Sequence, residues 1–185
     1  QIRWLESAIR AARALEDRVT EAIHLGNIGI AHYLLGDFRR AIEYHELNVT
    51  LAREIGDRTI ECAAFANLGV AYDSLGEYQK AISLYENHLE ITREIGDRSQ
   101  TGKALCNLGT AYQAISDYTR SLELCNEALA IARELADVGA ECAAVGNIGT
   151  AQYALGKYEL AIESLTGFLA GARKIGNRSF EALAI

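Results

Sequence analysis

The reactive side chains of this sequence are four histidines, four cysteines and many carboxylates, and their spacing decides whether they can act together. His24, His32, His45 and His88 never stand four apart, so no two of them offer metal ligands on one helical turn. Cys62, Cys106, Cys125 and Cys142 have no C-x-x-C spacing and fall within apolar patterns, where a thiol acts as a small buried hydrophobe. Gly102-Lys103-Ala104 lacks both the glycine spacing and the hydroxyl of a phosphate loop. With 25 Asp and Glu in 185 residues, neighbouring carboxylates on a solvated surface are expected and earn no acid or base assignment. The chemistry therefore reads as non-enzymatic, with no catalytic residue, metal or cofactor. What remains is a set of side chains that hydrogen-bond without reacting, led by a column of amides at Asn27, Asn67, Asn107 and Asn147.

A primary amide carries donors and an acceptor, so it can hold both the N–H and the C=O of a guest backbone without reading its sequence. In one repeat the stripe that carries it comprises Ala63, Ala66, Asn67, Val70, Asp73 and Ser74. Small residues recur at its centre, Gly26, Ala66, Cys106 and Gly146, and read as room for another backbone. Tyr33, Asp73, Gln113, Tyr153, Lys103, Thr110 and Thr150 would supply specificity. With helices roughly 9–10 Å apart and an extended guest rising about 3.3 Å per residue, one asparagine would meet every third guest residue. The competing reading is structural: the amide bonds an adjacent helix and sets the pitch of the repeats.

The elements that must position these side chains follow from a period of 40 residues. The repeats 19–58, 59–98, 99–138 and 139–178 align without a gap, 1–18 fit the second half of a preceding repeat, and 179–185 begin another. The expectation is one array spanning 1–185 that belongs to a longer one. Within each repeat apolar residues recur twice at helical spacing, as in Phe65, Leu68, Gly69 and Tyr72, then Ala81, Tyr85, His88, Thr92 and Ile95. Each repeat is thus an all-α hairpin. Gly36, Gly76 and Gly156, with Ser116 in the third repeat, mark its tight turn. Between repeats, Gly56, Gly96 and Gly176 supply helix C-caps, and Asp57, Asp97, Asp137 or Asn177 can cap the next helix. Glu54 with Arg58, and Glu94 with Arg98, stand four apart and suggest solvated ion pairs at these joints.

Charge narrows the partners. A formal charge of -7, a pI near 5.2 and no basic run longer than Arg39-Arg40 give no footprint for nucleic acid. No apolar run approaches the roughly 18 residues of a membrane span. The N-terminal QIRWLESAIR lacks the shape of a secretion signal, which gives a cytoplasmic expectation.

The segment 67–91, NLGVAYDSLGEYQKAISLYENHLEI, resembles a tetratricopeptide repeat: Leu68-Gly69, Tyr72, Gly76, Tyr78, Ala81 and Tyr85 match that motif in order and spacing. Departures are His32 and Gln152 where Tyr72 and Tyr112 stand. The 40-residue form is similar to repeats of the LGN/Pins group of cell-polarity adaptors and to the arrays of bacterial NB-ARC and other STAND-type signalling ATPases. The resemblance implies a right-handed superhelical solenoid whose first helices line a concave face. It implies a scaffold that binds a peptide or helical segment of a partner protein. Two further roles stay open: a regulatory or sensor arm of a multidomain signalling ATPase, and a structural spacer that associates end to end through surface near Ile2, Leu183 and Ile185. The resemblance also weighs against a chaperone C-terminal tail as ligand, because the basic residues that grip such a tail reduce here to Lys103.

Overall fold

The computed structural model describes residues 2–174, and every element among them is an α-helix. In chain order they are α1 (Ile2–Ala14), α2 (Arg18–Leu34), α3 (Phe38–Ile55), α4 (Arg58–Ser74), α5 (Tyr78–Glu94), α6 (Arg98–Ala114), α7 (Tyr118–Glu134), α8 (Val138–Ala154) and α9 (Tyr158–Lys174). Gly176, Asn177, Leu183, Ile185 and the repeat expected to begin at 179 lie outside the described residues.

Local chemistry sets the helix ends. Asp57, Asp97 and Asp137 cap α4, α6 and α8 as their position at the joints suggested, each accepting from backbone N–H groups two or three residues on. Asp17, Asp37 and Asp117 do the same for α2, α3 and α7, so an Asp cap serves turns inside the hairpins as well as joints. Just before these caps the chain needs a positive φ. Gly36, Gly56 and Gly96 supply it, as Gly76 and Gly156 do before Glu77 and Lys157, but Glu16 (φ 55°), Ser116 (φ 65°) and Ala136 (φ 53°) occupy the same conformation with a Cβ. Ser116→Gly and Ala136→Gly should each stabilise the chain by up to about 1 kcal/mol, the relief of a left-handed L-residue less the entropy glycine adds to the unfolded state. Paired thermal melts check this, and an unchanged or lower midpoint in both variants contradicts it.

The chain divides into two compact blocks, Gln1–Ile91 and Thr92–Ile185. In the first, α1 packs on α2, α2 on α3 and α3 on α4, around Leu5, Ile9, Leu25, Ile28 and Leu51 and then Ile42, Val49, Phe65, Leu68 and Ile91. In the second, α6 packs on α7, α7 on α8 and α8 on α9, burying Leu105, Leu108, Leu124, Cys125, Ile131, Cys142 and Phe168. Within each block the odd helices back the even ones, and the even helices touch each other, α2 with α4 and α6 with α8. Of the second expected stripe, Ala81, Tyr85, His88 and Thr92 are buried, but Ile95 is exposed because it already belongs to the turn after α5.

The joints are tied by ion pairs that skip the spacing expected of them. Glu54 is held by Arg18 of the preceding joint, and Arg98 reaches Glu134 at 2.5 Å, so each of these ties links residues 36 apart from one joint to the next. A second set runs eight apart across three of the joints: Arg13 Nε to Glu21 at 2.6 Å, Arg53 Nε to Glu61 at 2.8 Å and Arg133 Nε to Glu141 at 2.8 Å; at the fourth, Thr101 stands in the acidic position and Arg93 turns to Glu127 at 2.6 Å. Glu61 is buried. Burial alone would raise its carboxyl, but hydrogen bonds from Arg53 and Arg58 outweigh this and hold it below its ordinary value. Arg53 also lies over the Phe65 ring, 5.1 Å from its centroid.

Candidate functional site

The stripe expected to meet a guest lies on the even helices, one portion in each block. In the first block α2 and α4 carry Asn27, Tyr33, Ala66, Asn67 and Asp73. Asn27 is exposed; the other four are half-buried. In the second block α6 and α8 carry Lys103, Asn107, Thr110, Gln113, Asn147, Thr150 and Tyr153. Lys103, Thr110, Thr150 and Tyr153 are exposed, Asn107, Gln113 and Asn147 half-buried.

Hydrogen bonding separates these residues more sharply than the columns suggested. The Asn147 amide donates to Thr110 Oγ1 at 3.1 Å, and Gln113 Nε2 donates to the Asn147 carbonyl at 2.9 Å and to Ser121 Oγ at 3.0 Å. These bonds stitch α8 to α6, so Asn147 and Gln113 serve the packing of the second block. Asn27, Asn67 and Asn107 make no side-chain hydrogen bond among the described residues. A physical reason is at hand for Asn67: the residue aligned with Thr110 one repeat earlier than its own is Ile30, which has no hydroxyl to accept.

The small-residue column needs correction. A Cβ on Gly26 would lie 2.9 Å from Asn48 Nδ2, and one on Gly146 would lie 3.1 Å from the Phe168 ring. The space at these two positions is thus filled from beneath, by side chains of the backing helices α3 and α9, and not held open for a guest backbone. Ala66 and Cys106 stay half-buried at the surface. Burial, with Cys125 nearby, pushes the Cys106 thiol up to about 12, which leaves it protonated and inert near neutral pH.

Three residues of the face were missed. Ile23, Ile30 and Leu34 of α2 are 49%, 40% and 76% exposed, in one stripe with Asn27 at i, i+4, i+7 and i+11. Their aligned residues are Ala63, Val70 and Ser74 in the second repeat and Lys103, Thr110 and Ala114 in the third. Departure from column identity was the available signal. The first block thus presents an apolar face with amides, and the second a face of hydroxyls and amides.

Asp73 stands out within the first. Burial raises its carboxyl above the usual range, and no hydrogen bond or ion pair engages it among the described residues. The Tyr85 phenol of α5 is likewise raised by burial, with Asp73 and Tyr33 close enough to add to the shift. A hydroxyl-to-hydroxyl contact of 3.2 Å joins Ser74 to Tyr33.

The histidines serve packing. His32 stacks on Tyr44 at 5.4 Å, which accounts for its place in a tyrosine column, and His24 meets Trp4 edge-on at 5.6 Å. Among the described residues no three His, Cys, Asp or Glu side chains gather as a metal site, and no helix is long and apolar enough to cross a membrane.

The sequence profile of the tetratricopeptide repeat matches residues 20–94, 60–134 and 100–174, three overlapping windows that step by the period of the helices. This chain belongs to the tetratricopeptide repeat family. Repeats of this family are protein-binding scaffolds. No curated relative matches the sequence. Solved structures share the fold. Aspartyl phosphate phosphatase F from Bacillus subtilis superposes with a TM-score of 0.87 at 19% identity over 98% of this chain and 49% of that one. A Rap protein complexed with competence and sporulation factor gives 0.85 at 16% identity, over 99% and 51%. A STAND protein with a tetratricopeptide repeat sensor from Pyrococcus horikoshii gives 0.84 at 21% identity, over 97% and 28%. The tetratricopeptide chain described here therefore spans about half the length of the first of these.

Proposed function

We propose that this chain is a protein-interaction module that binds a peptide or helical segment of a partner on the α2–α4 face. The observation that carries the proposal is the pairing of two amides without internal partners, Asn27 and Asn67, with the exposed apolar side chains Ile23, Ile30 and Leu34 on one face. Backbone groups of a guest would be met by the amides, and its apolar side chains would leave water against the isoleucines and leucine.

A random-peptide display selection on the full chain tests this. Peptides enriched on the native protein should bind Asn27→Ala/Asn67→Ala at least about fivefold more weakly, since two guest hydrogen bonds at about 0.5–1.5 kcal/mol each are lost. The double variant should keep its stability within about 0.5 kcal/mol, as expected of surface changes. Asn147→Ala should do the reverse, costing about 1 kcal/mol of stability through its lost bond to Thr110 while leaving peptide affinity unchanged. Enriched peptides that bind the double variant undiminished would show that the guest sits elsewhere.

A second reading, a sensor arm of a multidomain signalling protein, is supported by the fold shared with the tetratricopeptide repeat sensor of the STAND protein. It uses the same face. It differs in predicting that ligand occupancy changes the activity of a neighbouring domain.

A further inference from the structure

Six glutamates among the described residues are already answered within the chain: Glu21, Glu54, Glu61, Glu127, Glu134 and Glu141 each have an arginine. Asp73 is different. It is half-buried on α4 and engages no described cation or donor; its chain neighbour Ser74 meets the Tyr33 hydroxyl of α2 at 3.2 Å, and the Tyr85 phenol of α5 lies close to both Asp73 and Tyr33. A partly desolvated carboxylate beside aromatic rings loses hydration without gaining a bond, and a guest cation would restore both Coulomb energy and ring contacts. The adjoining surface is apolar, through Ile30 and Leu34.

Resting on the α2–α4 face as the binding site, we propose that Asp73 and Tyr33 form a subsite for one lysine or arginine side chain of a partner protein's peptide segment, flanked in that segment by apolar residues. The acid fixes the register of a guest that the amides of Asn27 and Asn67 hold without reading. The net charge of the chain, -7, favours the approach of such a basic segment.

The same display selection, now read for composition, decides this. Peptides enriched on the native chain should carry Lys or Arg at one fixed position between apolar residues. Replacing that residue by Gln, or Asp73 by Asn, should each weaken binding about tenfold, and the two changes together should cost little more than either alone. Asp73→Lys should invert the preference and bind the Glu version of the peptide better than the Lys version, a rescue that a merely structural Asp73 cannot give. Peptides that depend on Asn27 and Asn67 but show no basic position, or that ignore Asp73→Asn, overturn this subsite and leave the face standing. A selection in which nothing enriched depends on Asn27 or Asn67 overturns the face, and the subsite with it.

Discussion

Gly69→Ala should destabilise the chain by about 2 kcal/mol, although replacing glycine by alanine inside a helix ordinarily stabilises by up to about 1 kcal/mol. The sign reverses because of Tyr85. A Cβ on Gly69 would lie 2.5 Å from Tyr85 Cε1 and 2.8 Å from Cδ1, distances at which carbon atoms repel steeply. Tyr85 is 2% exposed, so its ring has no solvent-side space to swing into, and α4 and α5 must separate or the ring must leave its rotamer. The effect is pairwise and can be isolated. In a double-mutant cycle Gly69→Ala with Tyr85→Ala should show a coupling of more than about 1 kcal/mol, because the truncated side chain leaves room for the new methyl. Gly167→Ala on α9 is the control: the nearest foreign atom is 4.0 Å away, so only the helix propensity gain remains and the midpoint should rise. Urea titrations of the native chain, the three variants of the cycle and the Gly167→Ala control supply the measurement. An unchanged midpoint for Gly69→Ala would mean that hairpin packing does not require the glycine column. The same contact recurs at Gly109, whose Cβ would sit 2.5 Å from Cys125 Sγ, so the period of the sequence is set by helix approach within each hairpin.

That glycine column was legible as a period before its reason was visible, and the contrast runs through the molecule. Features decided within a few residues were readable directly: the Asp caps, the glycines with positive φ, and Ser116 standing in for one of them. Features decided across helices were not. Gly26 looks like an opening on a surface until Asn48, twenty-two residues on, is seen filling it. Gln113 looks like a contact side chain until its amide is found on the Asn147 carbonyl. Arg53 pairs with Glu61 rather than with a residue one helical turn away, because the turn at Gly56 and Asp57 folds the start of α4 back beside the end of α3. The candidate site suffered most from reading columns for sameness. Sameness records what every repeat needs to stack, whereas Ile23, Ile30, Leu34 and Asp73 are informative because their aligned residues differ.

Acid should unfold this protein earlier than its carboxylates require, and His45 is the reason. Its ring lies beneath Gly29, 1% exposed, with Nδ1 lacking any hydrogen-bond partner, and burial pulls its pKa down to about 4 from 6.5. The folded chain therefore holds His45 neutral while the unfolded chain protonates it. Because the folded value is the lower one, stability is full above pH 6.5, falls as the pH drops from 6.5 towards 4, and falls no further on this account below that. The loss amounts to about 2 kcal/mol at pH 5. Glu61, whose folded value is held down by arginines, adds its own loss only below 4.5, so the two groups act in successive windows. His45→Leu separates them. Leu165 occupies the aligned position under Gly149, so the fold already accommodates this side chain there. The variant should match or exceed the native chain at pH 7.5, since an unsatisfied buried nitrogen is removed, and should be about 2 kcal/mol more stable than it at pH 5. Urea midpoints for both proteins at pH 7.5, 6 and 5 give the comparison. Parallel pH profiles would mean that His45 is reached by water or protonated in the fold.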